Sequence, residues 1–369
     1  MSFLIEKHEK FFNRCLIALP SKLQSEDSNQ LALIYFCLHG LGLIKRLKFS
    51  PQEEKYYQDY IIENYLLETN EFQGFRTTNY YRNCKNHYDL PNISSTFFAL
   101  VNLLILKYDY SKVINRHKVI AFLKLCQIQL GENKGSFAPT IRFNQVSEKY
   151  EPFGEPDLRI CYMALCIMNL INYEDFSGKS LIIEYILSNF TYQGGLSSNN
   201  ESHLGFTFCG LASLKLLNVD LTTGNQFKST IDWLIHRQLY YTSLDDMNYP
   251  YYQIQDQGSY NGRENKFGDT CYSWWCSASL NLLESLHLTN IQQAKAYLLN
   301  TTQNSLMGGF GKDFQSNPDP FHSFLAIASL SLWNNQLQDQ SIVLEEIDPV
   351  LVITKTSKHW LQKIKENWQ

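Results

Sequence analysis

A carboxylate, a thiol and an imidazole stand at Asp269, Cys271 and His322, each at or beside the start of a strongly apolar helical stretch. One of each makes a donor set for zinc, and three protein ligands leave the fourth tetrahedral position open, the arrangement of a catalytic rather than a structural site. Cations recur at comparable places: His203 in Glu201-Ser202-His203-Leu204-Gly205, Arg263 and Lys266 in Gly262-Arg263-Glu264-Asn265-Lys266, and Lys312 in Gly311-Lys312-Asp313. Such groups suit a phosphate or a diphosphate. Taken singly, each has an ordinary explanation. An Asp-x-Cys pair arises by chance, a cysteine at a helix start packs a core, His322 before Ser323-Phe324 reads as a satisfied core histidine, and Arg263 and Lys266 read as a solvated loop. Their shared register in an internal repeat is what joins them.

That repeat is marked by short turn signals, Gln73-Gly74-Phe75, Lys134-Gly135-Ser136-Phe137, Gln193-Gly194-Gly195-Leu196, Gln257-Gly258-Ser259-Tyr260 and Met307-Gly308-Gly309-Phe310, which recur every 50 to 64 residues. This is the length of two helices and their loops. After each turn comes a polar loop and then a helix apolar on nearly all sides: Ser95–Leu100, Arg159–Ala164, Phe206–Ala212, Thr270–Trp275 and Phe321–Ala326. A helix without a polar face has to be covered all round, so these are inner helices, and the amphipathic segments between them form an outer layer. Period-two alternation is nearly missing, and the spacing predicts an all-α, single-domain chain over residues 1–369, closed as an α/α barrel of inner and outer helices. An open solenoid would need polar capping repeats, and the chain ends are no more polar than its middle. In a closed ring the inner helices run parallel, and their N-termini collect at one positive end that favours anions.

Composition narrows the function. Of 369 residues, 44% are hydrophobic and 18% charged, which excludes disorder. The net charge of −4 and the lack of a basic stripe argue against nucleic acid as a partner. The longest apolar run, Leu31 to Ile44, is broken by His39 and falls short of the roughly 20 residues of a membrane span. The first residues show no signal-peptide core, so a cytoplasmic location is expected. Nine cysteines, most inside apolar helical runs, read as reduced and buried. Aromatic residues make up 14%, enough to line a large apolar cavity. The other histidines, His8, His39, His87, His117, His236, His287 and His359, lack metal-type companions and read as structural or surface groups. No phosphate loop, nucleophile elbow or dinucleotide fingerprint is present.

Asp269-Thr270-Cys271-Tyr272-Ser273-Trp274-Trp275, preceded by Gly262-Arg263-x-x-Lys266, strongly resembles the β subunits of protein prenyltransferases. The likeness covers nearly the whole chain. It includes His8-x-x-Phe11-Phe12-x-Arg14-Cys15-Leu16, Asp157-Leu158-Arg159-x-x-Tyr162, Glu201-Ser202-His203-x-Gly205-x-Thr207-Phe208-Cys209-Gly210 and His322. The resemblance implies an α/α barrel working as a heterodimer with a helical-repeat α subunit, and one zinc ion on Asp269, Cys271 and His322. The cysteine of a substrate protein's C-terminal box would take the open position as a thiolate and displace diphosphate from an isoprenoid. His203, Gly205, Arg263, Lys266 and Tyr272 fall on the diphosphate positions. Tyr162, Cys209, Trp275 and Phe321 fall on the isoprenoid and peptide pocket, and Arg159 on the residue that holds the peptide's C-terminal region.

Within the family, farnesyl enzymes carry Trp where this chain has Ala32, and Phe36 follows one turn later. The smaller side chain makes room for a fourth isoprene unit. Lys312 stands where farnesyl enzymes hold magnesium with Asp, so magnesium should be dispensable. The N-terminal segment and Val352-x-Thr354-x-Thr356-Ser357 also look like the type I geranylgeranyl branch. The expected substrates are geranylgeranyl diphosphate and C-a-a-X proteins such as small GTPases. Three features depart from the family pattern. Trp274-Trp275 and Asp319-Pro320-Phe321-His322 look more like the Rab enzyme, Leu204 replaces a glycine, and Asn92 replaces a farnesyl-enzyme His. The Tyr240 to Tyr260 segment, with six tyrosines, is longer than the family's loop and has no assigned role. The alternatives are the Rab and farnesyl β subunits and, outside enzymes, a catalytically dead barrel serving as a scaffold, against which the intact Asp269, Cys271 and His322 argue. A terpene cyclase would need an Asp-rich motif that is absent.

Overall fold

Asn92, Asn115, Asp157, His203, Asp269 and Asn290 each accept a backbone N–H in the first turn of a helix and so mark where it starts. The computed structural model describes residues 2–19, 21–80, 87–174, 176–197, 199–241, 245–248, 250–337 and 341–368. The helices are α1 (Ile5–Ile17), α2 (Gln30–Leu43), α3 (Pro51–Tyr65), α4 (Ile93–Ile105), α5 (Arg116–Cys126), α6 (Leu158–Leu170) and α7 (Lys179–Ser188), followed by α8 (Leu204–Leu216), α9 (Asn225–Ile235), α10 (Thr270–Leu282), α11 (Ile291–Tyr297), α12 (Pro320–Leu337) and α13 (Lys355–Glu366). Four short antiparallel ribbons join them: β1 (Leu66–Glu68) with β2 (Gln73–Phe75), β3 (Thr140–Asn144) with β4 (Lys149–Phe153), β5 (Phe310–Gly311) with β6 (Pro318–Asp319), and β7 (Ile347–Asp348) with β8 (Ile353–Thr354). The all-helical reading misses these ribbons because strands of two to five residues are too short to leave a periodicity.

The chain divides into two compact units. One comprises Met1–Leu19, Phe36–Leu47 and Asn189–Thr354; the other comprises Pro20–Tyr35, Lys48–Ser188 and Lys355–Gln369. In the first unit α10 packs between α8 and α12. These three helices are buried on nearly every side, with Phe208, Trp274, Phe324 and Trp333 at 1% exposure or less. Small residues permit the close approach, and the Trp333 indole donates to Ser277 Oγ at 2.9 Å. In the second unit α4 packs on α6 and α13, and α5 packs on the β2, β3 and β4 strands. Phe97 and Leu100 of α4 and Cys161 and Leu165 of α6 are buried there.

The turn signals have one structural role repeated five times. Each sends a fully buried residue back to bridge the end of the preceding outer segment: Phe75 to Leu66, Phe137 to Gln127, Leu196 to Phe190, Tyr260 to Gln238 and Phe310 to Gln303. In the first unit a glycine in each turn has positive φ and leaves no room for a Cβ against the next outer helix. The obstacle is Ser229 O of α9 for Gly194, Gln293 O of α11 for Gly258 and Lys7 O of α1 for Gly308, at 2.2 to 2.4 Å. The N-terminal helix α1 thus occupies the place that the following outer helix takes in the preceding repeats. A buried imidazole locks it there. His8 Nδ1 accepts the Gly309 N–H at 2.9 Å, which puts the proton on Nε2 facing Gln303 Oε1 at 3.0 Å. The Gln303 amide then donates to the Ser2 and Leu299 carbonyls. Of the nine cysteines, the eight among the described residues are all free thiols, as the composition led us to expect.

Candidate active site

Inner-helix caps place the chemistry. Asp157, His203, Asp269 and Asp319 each turn a side-chain acceptor onto an N–H one or two residues into α6, α8, α10 and α12. At α10, Asp269 Oδ1 accepts the Cys271 N–H at 2.8 Å, so the cap that starts the helix also fixes the carboxylate beside the thiol. At α12, Asp319 Oδ1 accepts the His322 N–H at 2.9 Å and its other oxygen meets His322 Nδ1 at 2.6 Å. That contact turns Nε2 toward Asp269 Oδ1, 3.3 Å away. The two helix starts are stitched together by Thr270, whose N–H donates to Lys312 O at 2.8 Å and whose hydroxyl donates to Gly311 O at 2.7 Å.

Asp269 and Cys271 at the start of one helix and His322 at the start of another therefore each offer a ligand atom, and these atoms lie within 4.8 Å of one another. The set fits zinc. Ligands about 2.0–2.1 Å from a tetrahedral ion stand roughly 3.3–3.4 Å apart, and the Nε2 to Oδ1 separation is 3.3 Å. The electrostatics also favour a cation. Burial, followed by the nearby Asp269, pushes the Cys271 thiol well up. Burial opposes charge on His322, yet the hydrogen bonds it donates to the Asp269 and Asp319 carboxylates outweigh it and raise the imidazole to about 9. Asp269 is itself held below the usual carboxylate range by His322 despite its burial. Asp319 orients a ligand from behind, the usual arrangement for a metal-bound histidine.

Beside this centre lies a group of cationic and hydrogen-bonding side chains. His203 Nδ1 accepts the Gly205 N–H at 3.1 Å, leaving its protonated Nε2 facing the Tyr272 hydroxyl at 3.2 Å. Burial and the neighbouring Cys271 and Asp269 push the Tyr272 phenol up, so it stays a donor. Gly262 lies directly under the Tyr272 ring and hands its carbonyl to the Leu204 N–H at 2.9 Å. Arg263, whose charge reaches Tyr272, pairs with Glu201 at 2.6 Å. Lys266 and Lys312 are exposed, and the Lys312 charge reaches Cys271. Rings line the same unit. Trp275 lies tilted against Phe208 at 5.2 Å, and Phe36 meets Phe321 edge-on at 5.3 Å. Cys209 is buried on α8.

Three expected pocket residues belong to the other unit. Ala32 is half-buried on α2, Tyr162 is buried on α6 with its ring 6.2 Å from Phe97, and Arg159 is exposed, with its guanidinium on the Asp157 cap at 2.6 Å. Sequence reasoning overlooked several contributors. The Asp-x-x-His spacing of Asp319 and His322 is a readable signal for a cap that also orients a ligand. Glu264 offers none, because it stands between two cations and reads as solvated loop. In the structure its carboxylate takes the Trp233 indole N–H at 2.8 Å, the Gln193 amide at 3.0 Å and Arg237 at 3.2 Å. Gln193 in turn accepts the Ser202 N–H at 3.1 Å. The loop bearing Arg263 is thereby braced against the segment bearing His203.

Comparison with known proteins fits this architecture. Residues 3–353 match the family described as the prenyltransferase alpha-alpha toroid domain. The chain belongs to that family, and its fold is the all-α toroid expected from the repeats. It is similar to the geranylgeranyl transferase type-1 β subunit of Dictyostelium discoideum, 28% identical over 97% of this chain and 98% of that protein. The corresponding Arabidopsis thaliana subunit is 28% identical over 91% and 86%. A solved structure of Candida albicans protein geranylgeranyltransferase-I complexed with GGPP is 51% identical, covers 99% of both chains and superposes with a TM-score of 0.94. The expectation of a protein prenyltransferase β subunit on the type I geranylgeranyl branch is borne out by these relatives. No helix among the described residues is long and apolar enough to cross a membrane.

Proposed function

We propose that this chain, acting as one domain with a prenyltransferase α subunit in the cytoplasm, transfers a 20-carbon isoprenoid from geranylgeranyl diphosphate to the cysteine of a C-terminal C-a-a-X box. The observation that carries the reading is the convergence of Asp269, Cys271 and His322 beside the His203, Tyr272 and Arg263 group. A zinc ion held by those three residues would supply the Lewis acidity that keeps an incoming thiol ionised at neutral pH.

The rest follows from side chains. Tyr272 and His203 present hydroxyl and imidazole protons, and Arg263, Lys266 and Lys312 present charge, to a diphosphate whose negative charge grows as its bond to the isoprenoid C1 breaks. The electron pair of that bond leaves with the diphosphate, and the peptide sulfur supplies the pair for the new thioether. Lys312 would do the work of a magnesium ion. Glu201 pairs with Arg263 and must release it to the ligand. Trp275, Cys209, Phe36 and Phe321 offer an apolar wall that holds the chain of the donor and excludes water. Ala32 and Tyr162 are assigned to isoprenoid length and contact, and Arg159 to the peptide end, on the resemblance of their motifs.

The test is co-expression with candidate α subunits, then competition between the 20-carbon and 15-carbon donors for a peptide ending in C-a-a-Leu, with zinc measured on the purified heterodimer. Preference for the 20-carbon donor and one zinc per heterodimer are expected. Ala32→Trp should shift preference to the shorter donor. A complex that transfers the 15-carbon unit equally well, or that folds normally without metal and transfers nothing, refutes the reading.

A further inference from the structure

The Tyr240–Tyr260 segment takes no part in the proposed chemistry, yet Tyr251, Asp256 and Tyr260 in its later part hold the residues that lead into α10. Three consecutive residues are each held by it. The Tyr251 ring meets Phe267 edge-on at 5.8 Å, Asp256 Oδ2 accepts the Gly268 N–H at 2.7 Å, and the Tyr260 carbonyl accepts the Asp269 N–H at 3.1 Å. Tyr249 and residues 242–244 lie outside the described residues. Asp256 is only 1% exposed. Its own backbone carbonyl is tied to Ser259 through the hydroxyl at 2.6 Å and the N–H at 2.9 Å.

A buried carboxylate is costly unless its oxygens find donors, so its retention needs a local reason. That reason stands at Gly268, the residue with the widest backbone freedom, placed immediately before Asp269. A Cβ on Gly268 would lie 2.0 Å from Ser259 Oγ, so the close approach requires glycine. Glycine alone would let the following residue wander. The charge-assisted bond from Asp256 removes that freedom and sets the peptide plane from which Asp269 projects.

We propose that Asp256 is a positioning residue for the metal centre and that residues 250–260 of the Tyr-rich segment are the strap that carries it, holding Asp269 in register with Cys271 and His322. The proposal rests on the zinc reading of those three residues. It also gives the segment a role that touches neither donor nor peptide. Because a ligand must be held to within about 0.5 Å for a site to keep its geometry, loss of the Gly268 anchor should be felt mainly in metal affinity.

The test uses the full heterodimer. Zinc affinity is measured by competition with a chromophoric chelator, and the cobalt-substituted protein is followed by its visible absorption. Asp256→Ala should weaken zinc binding by roughly 10-fold or more and shift the cobalt bands. Asp256→Asn, whose amide oxygen can accept the same N–H, should stay within about threefold of wild type. Melting temperature is recorded for each, since a merely structural role would lower it without changing the cobalt spectrum of the folded protein. Should Asp256→Ala fail to fold, Asp256→Ser, too short to reach Gly268, makes the same test. Wild-type affinity and spectrum in the Ala or Ser variant, or equal loss in the Asn variant, overturns the positioning role alone. A wild-type heterodimer that takes up no zinc, behaving like Cys271→Ala, overturns the zinc reading and the strap with it.

Discussion

Gly262→Ala should damage diphosphate binding although the new methyl group touches no ligand. The added Cβ would stand 2.1 Å from Tyr272 Cζ and 2.3 Å from its hydroxyl oxygen, against an ordinary contact of 3.4 Å or more. The ring, a stiff plate on α10, must retreat by about 1.3 Å. The His203 to Tyr272 contact, now 3.2 Å, then passes beyond hydrogen-bonding range, and the phenol leaves the place where a leaving oxygen would meet it. A hydrogen bond to a charged group contributes about 1.5–3 kcal/mol. At about 1.4 kcal/mol per tenfold, that is roughly a 10- to 150-fold loss. The assay is calorimetric binding of inorganic pyrophosphate to the heterodimer, with kcat/KM for the isoprenoid donor as the second readout. Tyr272→Phe should lose a similar amount, and the double variant should lose little more, because both changes act through one hydroxyl. Zinc content should stay at the wild-type level. Wild-type pyrophosphate affinity in Gly262→Ala, or full additivity in the double variant, would refute the reasoning.

Asp319→Asn removes the carboxylate that aims His322, and zinc affinity should fall roughly 10- to 100-fold by chelator competition; an unchanged affinity would show that α12 alone fixes the ring. Lys312→Asp should slow turnover by roughly 100-fold without magnesium and recover when it is added, and kinetics indifferent to magnesium would sink that role. The His8 imidazole is lowered from 6.5 to about 4, chiefly by burial, with the Gln303 contact opposing. The folded chain therefore resists protonation that the unfolded chain accepts. Stability present above pH 6.5 should be lost as pH falls toward 4, by something on the order of 3 kcal/mol. Urea midpoints for wild type and His8→Asn across that window check this: the variant should show a shallower decline, and parallel curves would refute the assignment.

Much of this protein is legible in one dimension. The spacing of the glycine turns, the apolar all-round helices after them and the caps at Asp157, His203, Asp269 and Asp319 are local features, and local geometry decides where such helices start. Side-chain chemistry is local too, so Asp269, Cys271 and His322 could be read as a metal set, and Arg263 and Lys266 as anion binders, once the repeat put them in register. What the sequence leaves open depends on distance through space. The short ribbons, the packing of α1 as the outer helix after Gly308, and the brace that Glu264 makes with Trp233, Arg237 and Gln193 each join residues whose separation along the chain carries no periodic signal. The same holds for Asp256, a polar loop residue by its neighbours and a buried anchor of Gly268 by its contacts. Residue type and order set the chemistry that this chain can offer. Only the close packing of segments distant in sequence, where a shift of 1 Å makes or breaks a hydrogen bond, decides which of those groups act together.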